Sequence, residues 1–155
     1  MIGVGLSTIL MIVYIGWYTT NYGVPWSLSH TVYKLPHEAV FTLVMFAMAF
    51  LNIIPMMEAC SENTKVLAFL TMASIGFVGA APLGRNCDER VHMGAAMLFG
   101  LCSQLMVAFN IPVLLFVFLP AVVWLTATRG RNWLFWLEVA CIIDLLLFCV
   151  SPYSF

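Results

Sequence analysis

The sequence predicts an all-α integral membrane protein, folded as a single bundle of six transmembrane helices. Of its 155 residues, 63% are hydrophobic and only 8% are charged, and a water-soluble domain could not bury so much apolar surface. The apolar residues also fall into six runs that each approach the ~20 residues needed to cross a hydrocarbon core. Because the connections between these runs are short, we expect one transmembrane domain over residues 1–155.

The six predicted spans are bounded by charged and helix-breaking residues. They cover residues 2–20, 37–57, 65–83, 91–109, 111–128 and 132–150. A helix satisfies its own backbone hydrogen bonds, as hydrocarbon requires. The boundary between the fourth and fifth spans depends on Asn110 and Pro112, and a tight hairpin there avoids a helix about twice as long as the bilayer is thick. The first run has no Lys or Arg before it, so we expect a retained helix rather than a cleaved signal.

The distribution of Lys and Arg predicts the orientation. The connections after the first, third and fifth spans carry Lys34, Arg85, Arg90, Arg129 and Arg131, whereas the opposite side carries only Lys65. Basic loops stay in the cytoplasm, so we expect loops 21–36, 84–90 and 129–131 there and both termini outside the cell membrane. The tryptophans fall near the same predicted interface, where amphipathic rings are favoured: Trp17, Trp26, Trp124, Trp133 and Trp136.

Polar residues concentrate in two segments on this predicted cytoplasmic face. One is "VPWSLSHTVYKLPHEA", residues 24–39, and the other is "GRNCDERVHMGAA", residues 84–96. The simplest interpretation of the second segment is a hydrated hairpin whose arginines set the orientation. Asp88 and His92, however, are spaced to share one face at the start of the fourth helix, although an acid there also suits a helix cap. The histidines of the chain all fall on this side: His30, His37 and His92.

From these segments we predict a polar cytoplasmic pocket that binds or remodels lipid headgroups. In this pocket Asp88 and His92 would face inward and meet the loop that carries Ser29 and His30. Arginine donates charge-assisted hydrogen bonds to phosphate, and the candidate lipid-binding residues are Arg85, Arg90, Ser27 and Tyr33. Membrane lipid is therefore the expected partner, and a homo-oligomer stays open. A net charge of -1 supplies no basic surface for nucleic acid.

An intramembrane hydrolase is the first alternative, and the sequence leaves open whether the chain is an enzyme. A serine, Ser27 or Ser29, would be the nucleophile, a histidine the base and Asp88 the orienting acid. The candidate catalytic residues are Ser29, His30, Asp88 and His92. The side chains of His30, His37 and His92 also suit zinc, but no two histidines share a helix at ligand spacing, so no metal site is predicted and the cofactor stays unknown.

A small proton-linked transporter is the second alternative, and it depends on two acids in the last span. An ionised carboxylate in mid-membrane costs at least ~2.5 kcal/mol, so Glu138 and Asp144 are candidate proton or ion sites. Their separation along the helix turns them about 120° apart, which prevents them from forming one site. Asp144 has a structural alternative, a hydrogen bond to Gln104 or Ser103 of the fourth helix. Pro120 predicts a kink in the fifth span.

Cysteines and small residues predict packing rather than chemistry. The five cysteines include no Cys-x-x-Cys pair, so neither a disulfide framework nor a thiolate metal site is expected. Gly76 with Ala80, and Ala96 with Gly100, are pairs of small residues that predict close packing of the third and fourth helices.

Two segments carry a resemblance to a known group of proteins. "PWSLSHTVYKLPHEAVFTLVMFAMAF" is similar to a Ser-x-Ser-x-x-x-Tyr segment before a second helix, and "GFVGAAPLGRNCDERVHMGAAMLFG" looks like a Gly-rich helix end, a charged loop and a His-x-x-x-Ala helix start. Both resemble uncharacterised bacterial six-helix membrane proteins that are distantly allied to DRAM-type and GPI-remodelling membrane proteins. The resemblance covers helices one to four and implies lipid handling. It picks out Ser27, Ser29, Tyr33, Gly79, Pro82, Asp88 and His92.

Overall fold

A computed structural model describes residues 2–81, 86–128, 130 and 132–151, without the side chains of residues 86–88 and 117. In these residues every regular element is a helix and no strand occurs, so the all-helical prediction is confirmed. The α-helices are α1 Ile2–Tyr22, α2 Glu38–Ala59, α3 Lys65–Ala80, α4 Asn86–Asn110, α5 Leu115–Thr128 and α6 Trp133–Val150. Short 3-10 helices occupy three of the connections, at Ser29–Lys34, Glu62–Thr64 and Pro112–Leu114.

Five helical segments are long and apolar enough to cross a membrane. They are Ile2–Tyr22, Glu38–Ala59, Glu62–Ala80, Glu89–Asn110 and Trp133–Val150. The remaining segment, Pro112–Thr128, is apolar but shorter than these, and its first turn is the 3-10 helix that starts at Pro112. These lengths and compositions are compatible with a multi-pass membrane protein.

The predicted span bounds differ most from the structure at the start of α4. This helix begins at Asn86, five residues before the predicted start at residue 91, so Glu89 and Arg90 belong to its first turns. Both side chains are exposed, and the positive end of the helix dipole favours an acid there. The predicted loop at 84–90 is therefore wrong for residues 86–90, and residues 84 and 85 lie outside the described residues.

The first three helices run antiparallel to their neighbours along the chain, as contacts between them show. Gly3 near the start of α1 lies against the backbone of Leu51 in the second half of α2, where an added Cβ would clash with the carbonyl oxygen. The Thr42 hydroxyl near the start of α2 donates to the carbonyl of Gly79 near the end of α3 at 2.8 Å. The helical body therefore has two ends, one holding connection 23–37 (the 23–37 end) and one holding connection 60–64 (the 60–64 end).

Buried methionine and aromatic side chains fill the core of the helical body. The largest of them with almost no exposure include Tyr18, Phe41, Phe135, Phe148, Met48, Met56 and Met106. Large apolar side chains also cover the outside, and Ile2, Phe50 and Phe116 are each more than three-quarters exposed, at 82%, 81% and 78%. Such an apolar exterior is unusual for a protein in water and is compatible with a hydrocarbon surrounding.

The third and fourth helices pack closely, as predicted, but Gly76 and Gly100 do not form that contact. Gly76 faces Phe46 of α2, whose Cε1 would lie 3.8 Å from an added Cβ, and a Cβ at Gly100 would meet no described atom within 4 Å. The close packing of α3 with α4 therefore does not depend on these two glycines, because spacing fixes which residues share a face but not which neighbour that face meets. The tightly packed glycine of α3 is Gly79, where an added Cβ would lie 2.7 Å from Met45 Cβ.

We expect Gly79→Ala to lower the free energy of unfolding by about 1–3 kcal/mol, because the added methyl group overpacks the contact with Met45. Gly76→Ala is the matched control on the same helix. It should leave stability unchanged or raise it by up to ~1 kcal/mol, because alanine is the better helix former. Unfolding of the purified protein in detergent measures both, and an equal loss in the two variants would contradict the described α2–α3 packing.

Candidate functional site

The connection between α1 and α2 is folded into the helical body. Gly23 ends α1 with a φ of +78°, a left-handed conformation that glycine adopts without strain. The following residues 24–35, here called the packed loop, include several that are at most 9% exposed: Ser27, Leu28, Ser29, Thr31, Val32 and Leu35. The predicted loop at 21–36 is therefore a structured segment, and α1 extends two residues into it, to Tyr22.

Two hydrogen bonds join the packed loop to α6. The Leu28 N–H donates to Glu138 Oε2 at 2.5 Å, and the Phe135 N–H donates to the Trp26 carbonyl at 3.1 Å. Phe135 lies in the first turn of α6, where the N–H groups have no partner within their own helix. The loop therefore supplies an acceptor for an N–H group at the start of α6, and Glu138 of α6 supplies an acceptor for an N–H group of the loop. Glu138, a predicted ion site, makes a structural contact across 110 residues of sequence.

A second set of hydrogen bonds joins the packed loop to α1. The hydroxyls of Tyr14 and Thr31 lie 2.5 Å apart, and Thr31 donates to the Leu28 carbonyl at 2.7 Å. Because a hydroxyl has one proton, Tyr14 is the donor to Thr31. The Lys34 ammonium reaches the Tyr22 carbonyl at 3.4 Å. Sequence reasoning did not single out Tyr14, since nothing local distinguishes a tyrosine that caps a distant turn.

Ser27 and His30, two of the predicted site residues, are in direct contact. Ser27 Oγ lies 3.0 Å from His30 Nδ1, and it also accepts the His30 backbone N–H at 3.2 Å. The pair has the elements of a nucleophile and a base, but it closes a single turn, as serine side chains commonly do. Ser27 is 2% exposed and Ser29 is 7% exposed. This geometry does not favour the hydrolase alternative, because neither hydroxyl is open to a substrate.

Three rings line the outer surface of the packed loop. The centroid of His30 lies 5.0 Å from that of Trp26 and 5.2 Å from that of Tyr33. Trp26 and Tyr33 are 49% and 59% exposed, and His30 between them is half-buried. We call Trp26, His30 and Tyr33 the aromatic row. Lys34, the next residue along the chain, is also exposed, so amphipathic rings and a cation lie on one short surface.

His92 is buried at the end of α3. It is 1% exposed, and its Nδ1 lies 3.1 Å from the Val78 carbonyl and 2.9 Å from the Ala81 carbonyl. Carbonyls only accept hydrogen bonds, so Nδ1 carries the proton and caps the last carbonyls of the helix. His92 thus faces inward, as predicted, and its described hydrogen bonds are to the end of α3 rather than to the packed loop.

The remaining predicted site residues are either exposed on the surface or lie outside the described residues. Arg90 is exposed on the first turns of α4. Arg85, Pro82 and the side chain of Asp88 lie outside the described residues, so the predicted pairing of Asp88 with His92 stays a prediction. His37 is exposed and directly precedes α2.

Asp144, the second acid of α6, is hydrogen-bonded to Gln104, one of the two partners that the sequence predicts. The Gln104 amide donates to Asp144 Oδ2 at 3.3 Å, whereas the Ser103 hydroxyl donates to the Gly100 carbonyl. Asp144 is 4% exposed. Asp144 and Glu138 therefore contact different partners, in agreement with the helical spacing that separates them.

The described residues do not form a metal site or an exposed thiol. Within the described ranges, no three His, Cys, Asp or Glu side chains are grouped so that they could hold a metal ion. The described cysteines are free and buried: Cys60, Cys102, Cys141 and Cys149. Burial raises the pKa of the Cys60 thiol, which keeps it in the less reactive protonated form.

Two cavities lie away from the packed loop. One of about 430 Å³ lies at the 60–64 end, beside Glu58, Cys60 and Lys65. The other, of about 350 Å³, is an apolar groove between α2 and α3, with walls formed by Phe46, Phe50, Phe69 and Phe77. Neither is lined by Ser27, Ser29, His30 or His92, and the candidate site considered below is the exposed surface of the packed loop.

Comparison of the chain with protein-family models, with curated proteins and with solved structures finds no match. The site is therefore interpreted from its own geometry.

We expect Glu138→Leu to loosen the packed loop, because it leaves the buried Leu28 N–H without an acceptor at a cost of about 1–3 kcal/mol. Glu138→Gln keeps an acceptor oxygen and should have a much smaller effect. Tryptic cleavage after the exposed Lys34 measures this change, and it should be faster in the leucine variant. Glu58→Leu, which removes an exposed acid at the 60–64 end, is the control. Unchanged cleavage in Glu138→Leu would show that the α6 contact does not hold the loop.

Proposed function

We propose that the chain is a six-span membrane protein whose packed loop lies at the cytoplasmic headgroup level and binds phospholipid headgroups. One observation carries this proposal: Trp26 and Tyr33 are exposed on either side of His30, on a loop that is hydrogen-bonded to α1 and α6. Exposed aromatic residues on a rigid support provide a binding surface at low entropic cost.

The sixth span of the proposal is segment Pro112–Thr128. Its 17 residues correspond to about 26 Å of helix, close to the ~30 Å hydrocarbon thickness. Trp124 lies near its end and is 66% exposed, as is favourable at an interface. An even number of spans also returns both termini to one side of the membrane.

The chemistry of the loop surface suits a phospholipid headgroup. The faces of Trp26 and Tyr33 attract an ammonium group through cation–π interaction, and the Lys34 ammonium attracts the phosphate. Exposed Arg90 and Arg85, which lies outside the described residues, are further phosphate ligands of the proposal, because a guanidinium binds phosphate in a bidentate manner. The resemblance to lipid-handling membrane proteins favours the same function.

We expect short-chain phosphatidylethanolamine or phosphatidylglycerol, added below its micelle concentration, to raise the melting temperature of the detergent-purified protein. A ligand that binds only the folded state stabilises that state by mass action. The stabilisation should fall by at least half in Trp26→Ala and in the double variant Tyr33→Ala/Lys34→Ala.

Trp124→Ala is the matched control, because it removes an exposed tryptophan from α5 and leaves the packed loop intact. The hydrogen bond from Phe135 to residue 26 uses a backbone carbonyl and so survives Trp26→Ala. A lipid response that is absent from the unmodified protein, or that is lost equally in Trp124→Ala, would contradict headgroup binding by the loop.

The proposed orientation has a separate test. In a cysteine-free background, Asn63→Cys at the 60–64 end should react with a membrane-impermeant maleimide added to intact cells, and His37→Cys at the 23–37 end should not. Both positions are exposed, so accessibility within the protein is matched. The reverse labelling pattern would overturn the orientation inferred from the basic residues.

A further inference from the structure

Gln104 on α4 contains a buried atom without a partner. Among the described residues, its Oε1 is the one buried side-chain nitrogen or oxygen that makes no hydrogen bond. The amide nitrogen of the same side chain donates to Asp144 Oδ2 at 3.3 Å. A buried acceptor without a donor is costly, and its occurrence in a folded protein calls for a physical reason.

Asp144 is an acid in an unusual position for a charge. It is 4% exposed and lies six residues before the end of α6 at Val150, just as Gln104 lies six residues before the end of α4 at Asn110. In the part of the chain that the structure describes, no Lys, Arg or His forms an ion pair with it. A buried carboxylate without a counter-charge is strongly disfavoured.

The groups around Asp144 do not supply a donor for the unpartnered oxygen. The Ser103 hydroxyl donates to the Gly100 carbonyl. Cys141, one turn earlier on α6, is a free and buried thiol, and Glu138 lies beyond it with its carboxylate on Leu28. The described residues therefore give the Gln104 oxygen no donor, whereas a proton on Asp144 would supply one.

We propose that Asp144 and Gln104 form a proton-binding site inside the helical body. A proton on the carboxyl group turns one acceptor into an O–H donor, and Gln104 Oε1 belongs to the side chain that already contacts this carboxyl through its amide nitrogen. The amide nitrogen continues to donate to the other carboxyl oxygen, so acid and amide form a pair in which both are satisfied. Exchanging the amide oxygen and nitrogen does not remove the mismatch, because an ionised carboxylate offers no donor to either orientation.

This site is separate from the proposed lipid surface. The packed loop is held by Glu138 near the start of α6, whereas Asp144 lies six residues further along the same helix, about 9 Å away along its axis. Loss of headgroup binding would leave this inference unaffected.

Infrared difference spectroscopy of the purified protein in liposomes at neutral pH tests the proposal. Subtracting the Asp144→Asn spectrum from that of the unmodified protein should reveal the C=O stretch of a protonated carboxylic acid. Glu138→Gln, which removes the other acid of α6, is the matched control and should retain that band. Asparagine presents the same donor and acceptor pair to Gln104, so Asp144→Asn should fold with an unchanged melting temperature.

A second variant tests the pairing. In Gln104→Leu the Asp144 band should move to higher frequency, because the carboxylic acid loses its hydrogen-bonding partner. The proposal is overturned if the Asp144→Asn difference spectrum shows a carboxylate band instead, or if the acid band keeps its frequency in Gln104→Leu.

Discussion

The hydrogen bond from the Leu28 N–H to Glu138 and the one from Phe135 to the Trp26 carbonyl fix the 23–37 end of the molecule. Both involve backbone groups that lack a partner in their own helix or turn, and such groups must be satisfied when they leave water. Here the packed loop accepts a hydrogen bond from α6, and α6 accepts one from the packed loop. This exchange keeps the packed loop against α1 and α6, and the buried Ser27 of the loop contacts His30 of the aromatic row.

Polar side chains elsewhere join neighbouring helices in the same way. Ser7 donates to Asn52 across α1 and α2 at 3.0 Å, and Asn110 accepts the Ser61 N–H at the 60–64 end at 2.8 Å. The buried polar residues are thus mostly structural, which is the usual role of such contacts between apolar helices. Against this background the unpartnered oxygen of Gln104 is an exception, and it lies beside the most buried acid of the described chain.

Periodicity and charge predicted the parts of the structure that depend on local sequence. The all-helical fold and the contact of Asp144 with Gln104 were predicted because apolar length and intramembrane polar residues leave few choices. The packed loop was not, since its anchors Tyr14 and Glu138 are far from it in sequence and neither has a distinctive local pattern. The sequence predicts a start of α4 that is too late, because its charged residues indicate a loop although they also suit the first turns of a helix. The neighbours of Gly76 and Gly100 depend on tertiary packing, which spacing alone does not fix.

Hydrogen–deuterium exchange of the unmodified protein in lipid nanodiscs tests the central claim most directly, that residues 24–35 are folded into the helical body. If the packed loop is held by α1 and α6, the amides of Leu28 and Thr31 will exchange as slowly as that of Phe135 in the first turn of α6. If these amides exchange as fast as those of an unstructured peptide, the loop is hydrated and the account of the 23–37 end is contradicted.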